Sequence, residues 1–220
     1  MPKILTAILT CLLLVPAALA DQTVLSPVLC GHDEREDAPS PCLQEDAFTA
    51  GVASADLSLM TGGQSWGCNS EWAAFVEFDL SWLPPEHQVM SATLTVRKTG
   101  YSDDSQGFFY LGVFPYFATG GPMAVPRDDL DPDTALDVTY PPAANVDLVL
   151  DVTAGVQDLR LNGHDRIGLI LAGIFSEAGY EDWISIGGCG HPNPPRLALE
   201  YEGTVDAEAQ SWSGVKSLFR

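Results

Sequence analysis

The sequence predicts an all-β protein, an antiparallel sandwich or barrel with one short helix, and three observations carry that expectation. Apolar and polar residues alternate with period two through many short stretches, the pattern of half-buried strands. Pro- and Gly-rich breaks such as Pro84-Pro85, Gly120-Gly121-Pro122 and Pro141-Pro142 separate those stretches. One segment, at 153–163, carries helix start and stop signals. The 220 residues are 46% hydrophobic and 18% charged, ordinary for a globular fold and too apolar for a disordered chain. Ten Lys and Arg stand against 30 Asp and Glu, a formal charge of −20. That balance argues against nucleic acid, polyanionic glycans and anionic membrane surfaces, which need basic patches.

The elements follow in order. Residues 1–20 read as a secretory signal peptide: Lys3 is the positive start, residues 4–15 are apolar, and Ala18-Leu19-Ala20 is a small-x-small cleavage site. The apolar run is too short to span a bilayer, which takes about 20 residues, and no second run is long enough. Cys11 does not read as a lipoprotein cysteine, because Thr10 precedes it and the apolar run continues beyond. Residues 21–203 then suit a single β-sandwich domain. Its early strand candidates are 23–29, 48–53 and 57–60, and the acidic stretch 33–37 reads as a solvated loop. In 73–80, Ala74, Val76, Phe78 and Leu80 share a face; in 89–98, Met90, Ala92, Leu94 and Val96 do so. In 108–117 the inward set is Phe109, Leu111, Val113 and Phe117, and 146–152 alternates again. Thr153 is the expected N-cap of a helix over 154–161, with Gly163 as its stop. Residues 166–174 are apolar nearly throughout, as in a central strand covered on both faces, and 183–187 and 196–202 close the series. A tail of 204–220 follows an acidic spacer and ends basic, with Trp212, Val215, Leu218 and Phe219 at helical spacing. It reads either as a sorting or attachment tail for the cell envelope or as a frayed or docked end.

Past the signal, four cysteines remain: Cys30, Cys42, Cys68 and Cys189. An even number in an exported chain reads as two disulfides, for which three pairings exist. The favoured pairs are Cys30–Cys42, closing a short loop worth roughly 3 kcal/mol on the loop-entropy model, and Cys68–Cys189, tying an early segment to a late one.

The run Ala74-Phe75-Val76-Glu77-Phe78-Asp79-Leu80-Ser81-Trp82-Leu83-Pro84, continuing to Val89-Met90-Ser91-Ala92-Thr93-Leu94, resembles the core motif of DNRLRE-type extracellular bacterial domains. Leu150-Asp151-Val152-Thr153 with Val156-Gln157, Gly168–Leu171 and Pro195–Tyr201 are similar to later segments of that family in the same order. The resemblance covers roughly residues 46–202 and implies a jelly-roll-like antiparallel β-sandwich grouped with carbohydrate-binding modules. It carries no catalytic residues, and sugar binding is a family-level implication. The string that names the family is not found, and 121–144 lacks a clear counterpart of its usual Trp- and Glu-containing segment.

Several constellations could carry chemistry. Gly63-Gln64-Ser65-Trp66-Gly67 fits G-x-S-x-G, but a nucleophile elbow needs a helix after it and the pattern here predicts another strand. Asp129, Asp131 and Asp133, beside Asp128 and before Asp137, offer hard oxygen ligands for a structural Ca²⁺, although the Gly and distal Glu of an EF-hand loop are missing. The plainer reading is a solvated acidic loop. His32, His87, His164 and His191 are scattered and read as surface or turn residues.

The aromatic residues point furthest. Opposite the inward set of 108–117 lie Phe108, Tyr110, Phe114 and Tyr116, an outward strip on which sugar rings could stack unless a second layer covers it. Trp66, Trp72 and Trp183, in or beside loops, are alternative platforms. The expectation is a secreted, non-catalytic module for a neutral polysaccharide or another surface component. The alternative is a structural or adhesive envelope protein working through protein contacts and its tail, and a secreted carbohydrate-active enzyme ranks third.

Overall fold

The computed structural model describes residues 20–37, 47–54, 56, 58–64, 69–103, 109–140, 145–175 and 182–203. Residues 1–19, within the expected signal peptide, the tail at 204–220, Cys42, Cys68, Trp66 and Phe108 lie outside the described residues. Within them the chain forms β1 (Asp21–Leu25), β2 (Leu29–Asp37), β3 (Ala47–Ala50), β4 (Ser58–Gln64), β5 (Asn69–Asp79), β6 (Gln88–Asp103) and β7 (Phe109–Phe117). After these come β8 (Met123–Pro126), β9 (Asp137–Thr139), β10 (Asp147–Asp151), the helix α1 (Thr153–Leu161), β11 (Arg166–Phe175), β12 (Asp182–Gly187) and β13 (Arg196–Glu202). The all-β class with one α-helix is what the alternation predicts. No helix among the described residues is long and apolar enough to cross a membrane.

Eleven strands form one antiparallel sheet curled on itself, in the order β1-β13-β6-β12-β4-β5-β11-β7-β9, with β10 joined to β6 and β2 to β5. Strand β6 is the hinge of this arrangement. Its first half pairs with β13 and β10, and its second half, from Lys98, pairs with β12 across a bulge at Ser185/Ile186. A bulge increases local twist, and here it helps one strand serve both halves of the sheet. The concave faces meet in one apolar core. Ala74, Val76 and Phe78 of β5, Ala92, Leu94 and Val96 of β6, Leu148 and Leu150 of β10, and Ile167, Leu169 and Leu171 of β11 all belong to it.

A second core lies on the other side of β5, β11 and β7. The ribbon β3–β8 packs there, with Phe48, Ala50, Val125 and Leu130 set against Phe75, Phe114, Tyr116 and Ile170. Strand β11 therefore has apolar neighbours on both faces, which explains its nearly unbroken apolar sequence.

Four expectations are corrected. Cys30 is bonded to Cys189, with Cα atoms 5.6 Å apart and a sequence separation of 159, so it pairs with neither Cys42 nor a loop neighbour, and Cys189 is not paired with Cys68. Loop-closure entropy describes the unfolded chain. In the fold, Cys30 sits within the main core and the turn after β12 is brought beside it. Residues 33–37 are not a loop but the end of β2, paired with β5 from Asp33↔Ala73 to Asp37↔Asn69. Charge does not prevent this, because strand pairing joins backbone groups.

Thr153 is the first helical residue rather than the N-cap, which is Val152. The Thr153 amide and hydroxyl both donate to Asp151 Oδ1, at 2.9 and 2.6 Å, and its oxygen accepts the Ala92 amide at 2.9 Å. Asp151 thus takes the acceptor role expected of Thr153. The stop is as expected, with Gly163 at φ +81° closing the last turn on Arg160. Finally, the inward set of β7 does not include Phe117, which is exposed, and two of the outward set, Phe114 and Tyr116, are buried.

Candidate functional site

The expected aromatic strip divides in two. Phe114 and Tyr116 are 1% and 6% exposed, beneath the β3–β8 ribbon, and offer no surface to a sugar. Burial of Tyr116 is made tolerable by a specific partner. Its hydroxyl donates to Oε1 of the fully buried Glu77 at 2.9 Å, and Arg166 Nη1 donates to the other carboxylate oxygen at 3.2 Å. Burial, followed by the Glu77 charge and hydrogen bond, pushes the Tyr116 phenol well above its ordinary pKa, so it stays a donor. Gly168 makes room for it, since a Cβ there would stand 2.6 Å from the Tyr116 ring.

Tyr110 behaves as expected and remains exposed, at 38%. Its neighbour is not another residue of β7 but Tyr140, 54% exposed, whose ring centroid lies 6.0 Å away at 69°. The register continues from Leu111↔Thr139 and Gly112↔Val138, so Tyr110, Val138 and Tyr140 share the outer face at the β7–β9 edge, beyond the ribbon. The β9 contribution was missed, because a three-residue strand shows no periodicity; Val138-Thr139-Tyr140, all β-formers, was the available signal.

The remaining candidates do not converge with this edge. Trp72 is buried in β5, and Trp183 is half-buried in β12 opposite Gly62. Asp129, Asp131 and Asp133 are exposed in two short 3-10 turns, Arg127–Leu130 and Pro132–Thr134. The Asp131 carboxylate accepts the Asp133 amide at 2.9 Å and so caps the second turn. Among the described residues no three His, Cys, Asp or Glu side chains converge as a metal site. Asp137 is likewise engaged, accepting the Val138 and Asp151 amides.

Among the described residues, several side chains of catalytic type have identifiable partners. Ser54 Oγ donates to Asp56 at 3.1 Å, and His32 Nε2 lies 3.9 Å from the same carboxylate, so hydroxyl and imidazole address the acid rather than each other. His32 lies on β2, not in a turn, whereas His164 packs edge-on against Phe117 and His191 accepts the Asn193 amide. Among the described residues two carboxylates, Asp79 and Asp151, have displaced pKa values, and both move down. Backbone and side-chain hydrogen bonds from Ser81 lower Asp79, and those from Thr153 lower Asp151. A general acid needs the opposite shift. Of G-x-S-x-G, Gly63 and Gln64 end β4, Ser65, Trp66 and Gly67 lie outside the described residues, and the next described element is the strand β5, where an elbow would lead into a helix.

One pocket lies at the other end of β11, a cavity of about 300 Å³ between the β5–β6 turn and the turn after α1. Trp82, 44% exposed, forms one wall and rests edge-on against Tyr201 at 5.5 Å. Arg160 is nearly buried and donates to Asp165 through Nη1 and to the Leu83 and Pro84 carbonyls through Nη2, at 2.7 and 3.3 Å. Sequence reading quoted Trp82 only inside the family-like motif and did not rank it as a platform.

Fold and surface together define an all-β, antiparallel, sandwich-like protein with exposed aromatics at one strand edge and a small pocket at the opposite end. No family model matches the chain, and no curated protein matches it either.

Proposed function

We propose that the chain is a secreted, non-catalytic β-sandwich module that binds a neutral glycan, of the kind its resemblance to DNRLRE-type domains implies. The exposed pair Tyr110–Tyr140, extended by Val138, carries this reading. Aromatic faces that stay in water on a strand edge have an apolar surface to offer, and the axial C–H groups of a sugar ring fit the negative face of such rings. The charge of −20 selects against polyanionic glycans and leaves neutral ones. The segments that carry the resemblance fall on β5, the turn after it, β6, and the β10–α1 junction. Export rests on the signal-like residues 1–20.

Co-sedimentation of the exported protein with insoluble neutral polysaccharides tests the proposal. Binding should be lost in Tyr110→Ala/Tyr140→Ala and kept in Tyr116→Phe, whose hydroxyl is buried. Failure to bind any polymer would overturn the glycan reading and favour an envelope protein acting through protein contacts.

A further inference from the structure

The pocket beside Trp82 is separate from the Tyr110–Tyr140 edge. Tyr110 pairs with Ile174 of β11, whereas the pocket adjoins Asp165, just before Arg166. Those positions are nine steps apart along the strand, about 30 Å at 3.3 Å per residue. We propose that this pocket is a second saccharide subsite, which takes a single neutral pyranose ring at a chain end.

Three features support that ligand class. The first is size: about 300 Å³ is at the small end of ligand pockets, room for one ring rather than a chain. The second is a division of surfaces. Trp82 gives an apolar face, with Pro84 and Pro85 beside it, while Asp165 and Ser81 provide hydrogen-bonding atoms at the rim. A sugar ring presents the matching pair, an apolar face and a belt of hydroxyls.

The third is electrostatic. Arg160 and Asp165 are bonded to each other, so the pocket holds opposite charges in compensation and favours a neutral ligand. That pairing also prepares the acceptor. The Arg160 guanidinium is 9% exposed and fixed by two backbone carbonyls, while the Asp165 carboxylate it holds is 63% exposed at the mouth. The Asp165 backbone carbonyl accepts the Leu80 amide at 2.7 Å, so both ends of the residue are located. Gly163, at φ +81° with open space where a side chain would project, keeps the mouth clear.

The test is a titration of the ¹⁵N-labelled full exported protein with methyl glycosides of neutral hexoses, and with the matching hexuronic acids, followed through the Trp82 indole N–H. A neutral glycoside should shift that signal with a millimolar Kd, the range open to a ligand of about a dozen heavy atoms. The uronic acids should bind several-fold more weakly. Trp82→Ala should weaken neutral-glycoside binding about tenfold, and Trp82→Phe should restore part of it. Tyr110→Ala/Tyr140→Ala should leave it unchanged. Thermal melts check that each variant is folded, and the wild-type indole signal answers the question without any variant. An indole signal unmoved by every glycoside at tens of millimolar overturns the subsite, even where the polysaccharides still bind through Tyr110 and Tyr140. A shifted indole signal without polysaccharide binding supports the subsite and sinks the edge site instead.

Discussion

Replacing Tyr116 by Phe removes a single oxygen, and the structure sets the cost. That oxygen donates at 2.9 Å to a carboxylate with no exposure, leaving Arg166 as the remaining charged partner of Glu77 among the contacts described. A hydrogen bond to a charged group contributes about 1.5–3 kcal/mol, and the loss falls wholly on a group that water cannot reach. The expected destabilisation is about 2 kcal/mol, or roughly 4–8 °C in Tm for a fold of this size. Equilibrium urea unfolding under non-reducing conditions, followed by near-ultraviolet circular dichroism, reads it directly; the slope should not change. Tyr110→Phe is the control, an exposed hydroxyl worth less than about 0.5 kcal/mol. With Glu77→Gln in a double-mutant cycle, the two losses should be clearly non-additive. A loss below about 0.5 kcal/mol in Tyr116→Phe would refute the buried pair and reopen the case for an outward strip. The raised phenol pKa adds a pH signature. A group whose pKa is higher folded than unfolded stabilises fully below the unfolded value and loses that contribution as pH climbs, so an alkaline titration should show one tyrosine that ionises only with unfolding.

Other outcomes follow from the same geometry. A non-reducing peptide map should recover Cys30 linked to Cys189, and Cys30→Ser/Cys189→Ser should cost about 2–5 kcal/mol; a Cys30–Cys42 peptide would refute the assignment. Gly168→Ala should destabilise by about 1–3 kcal/mol through its collision with the Tyr116 ring, and Gly168→Ala/Tyr116→Ala should be milder than additive. Thr153→Ala should raise the Asp151 pKa toward the ordinary carboxylate value, measured by NMR titration. Because the Asp79 and Asp151 pKa values are depressed when folded, their contribution is present above the unfolded carboxylate range and fades as pH falls through the lowered values. Acid melts should therefore converge between wild type and Thr153→Ala below about pH 4.

Where a strand buries one face, its neighbours in sequence suffice to read it. Ala92, Leu94 and Val96, or Leu148 and Leu150, declare the main core by alternation alone. Strand β7 could not be read that way, because the cover over Phe114 and Tyr116 comes from Phe48 and Val125 on two short strands, the first of them far earlier in the chain. A clue was nonetheless present. β7 is apolar on both faces, like β11, and two-sided burial inferred for one strand extends to its partner. Glu77, on the face of β5 opposite Ala74, Val76 and Phe78, carries no such mark of burial in its neighbours either. Tyr140 and Trp82 lie in or beside turns, where no period marks a side chain as exposed or lining a pocket. The disulfide was misread because sequence distance says nothing about which turns the closed sheet brings together.

The first and last strands of the domain lie side by side: β1 pairs with β13 from Asp21↔Tyr201 to Leu25↔Leu197, and β13 in turn completes one edge of β6. A chain threaded outward from its N-terminus would carry β1 and Cys30 into the new compartment long before their partners arrive. Until β13 emerges, β6 holds an unsatisfied edge and the main core lacks Leu197 and Leu199. Closure of the sheet is thus a late, long-range event, slow by its contact order and exposed to aggregation while it waits. Deleting β13 should therefore not yield a smaller stable domain but a chain held open, dependent on chaperones and accessible to proteases.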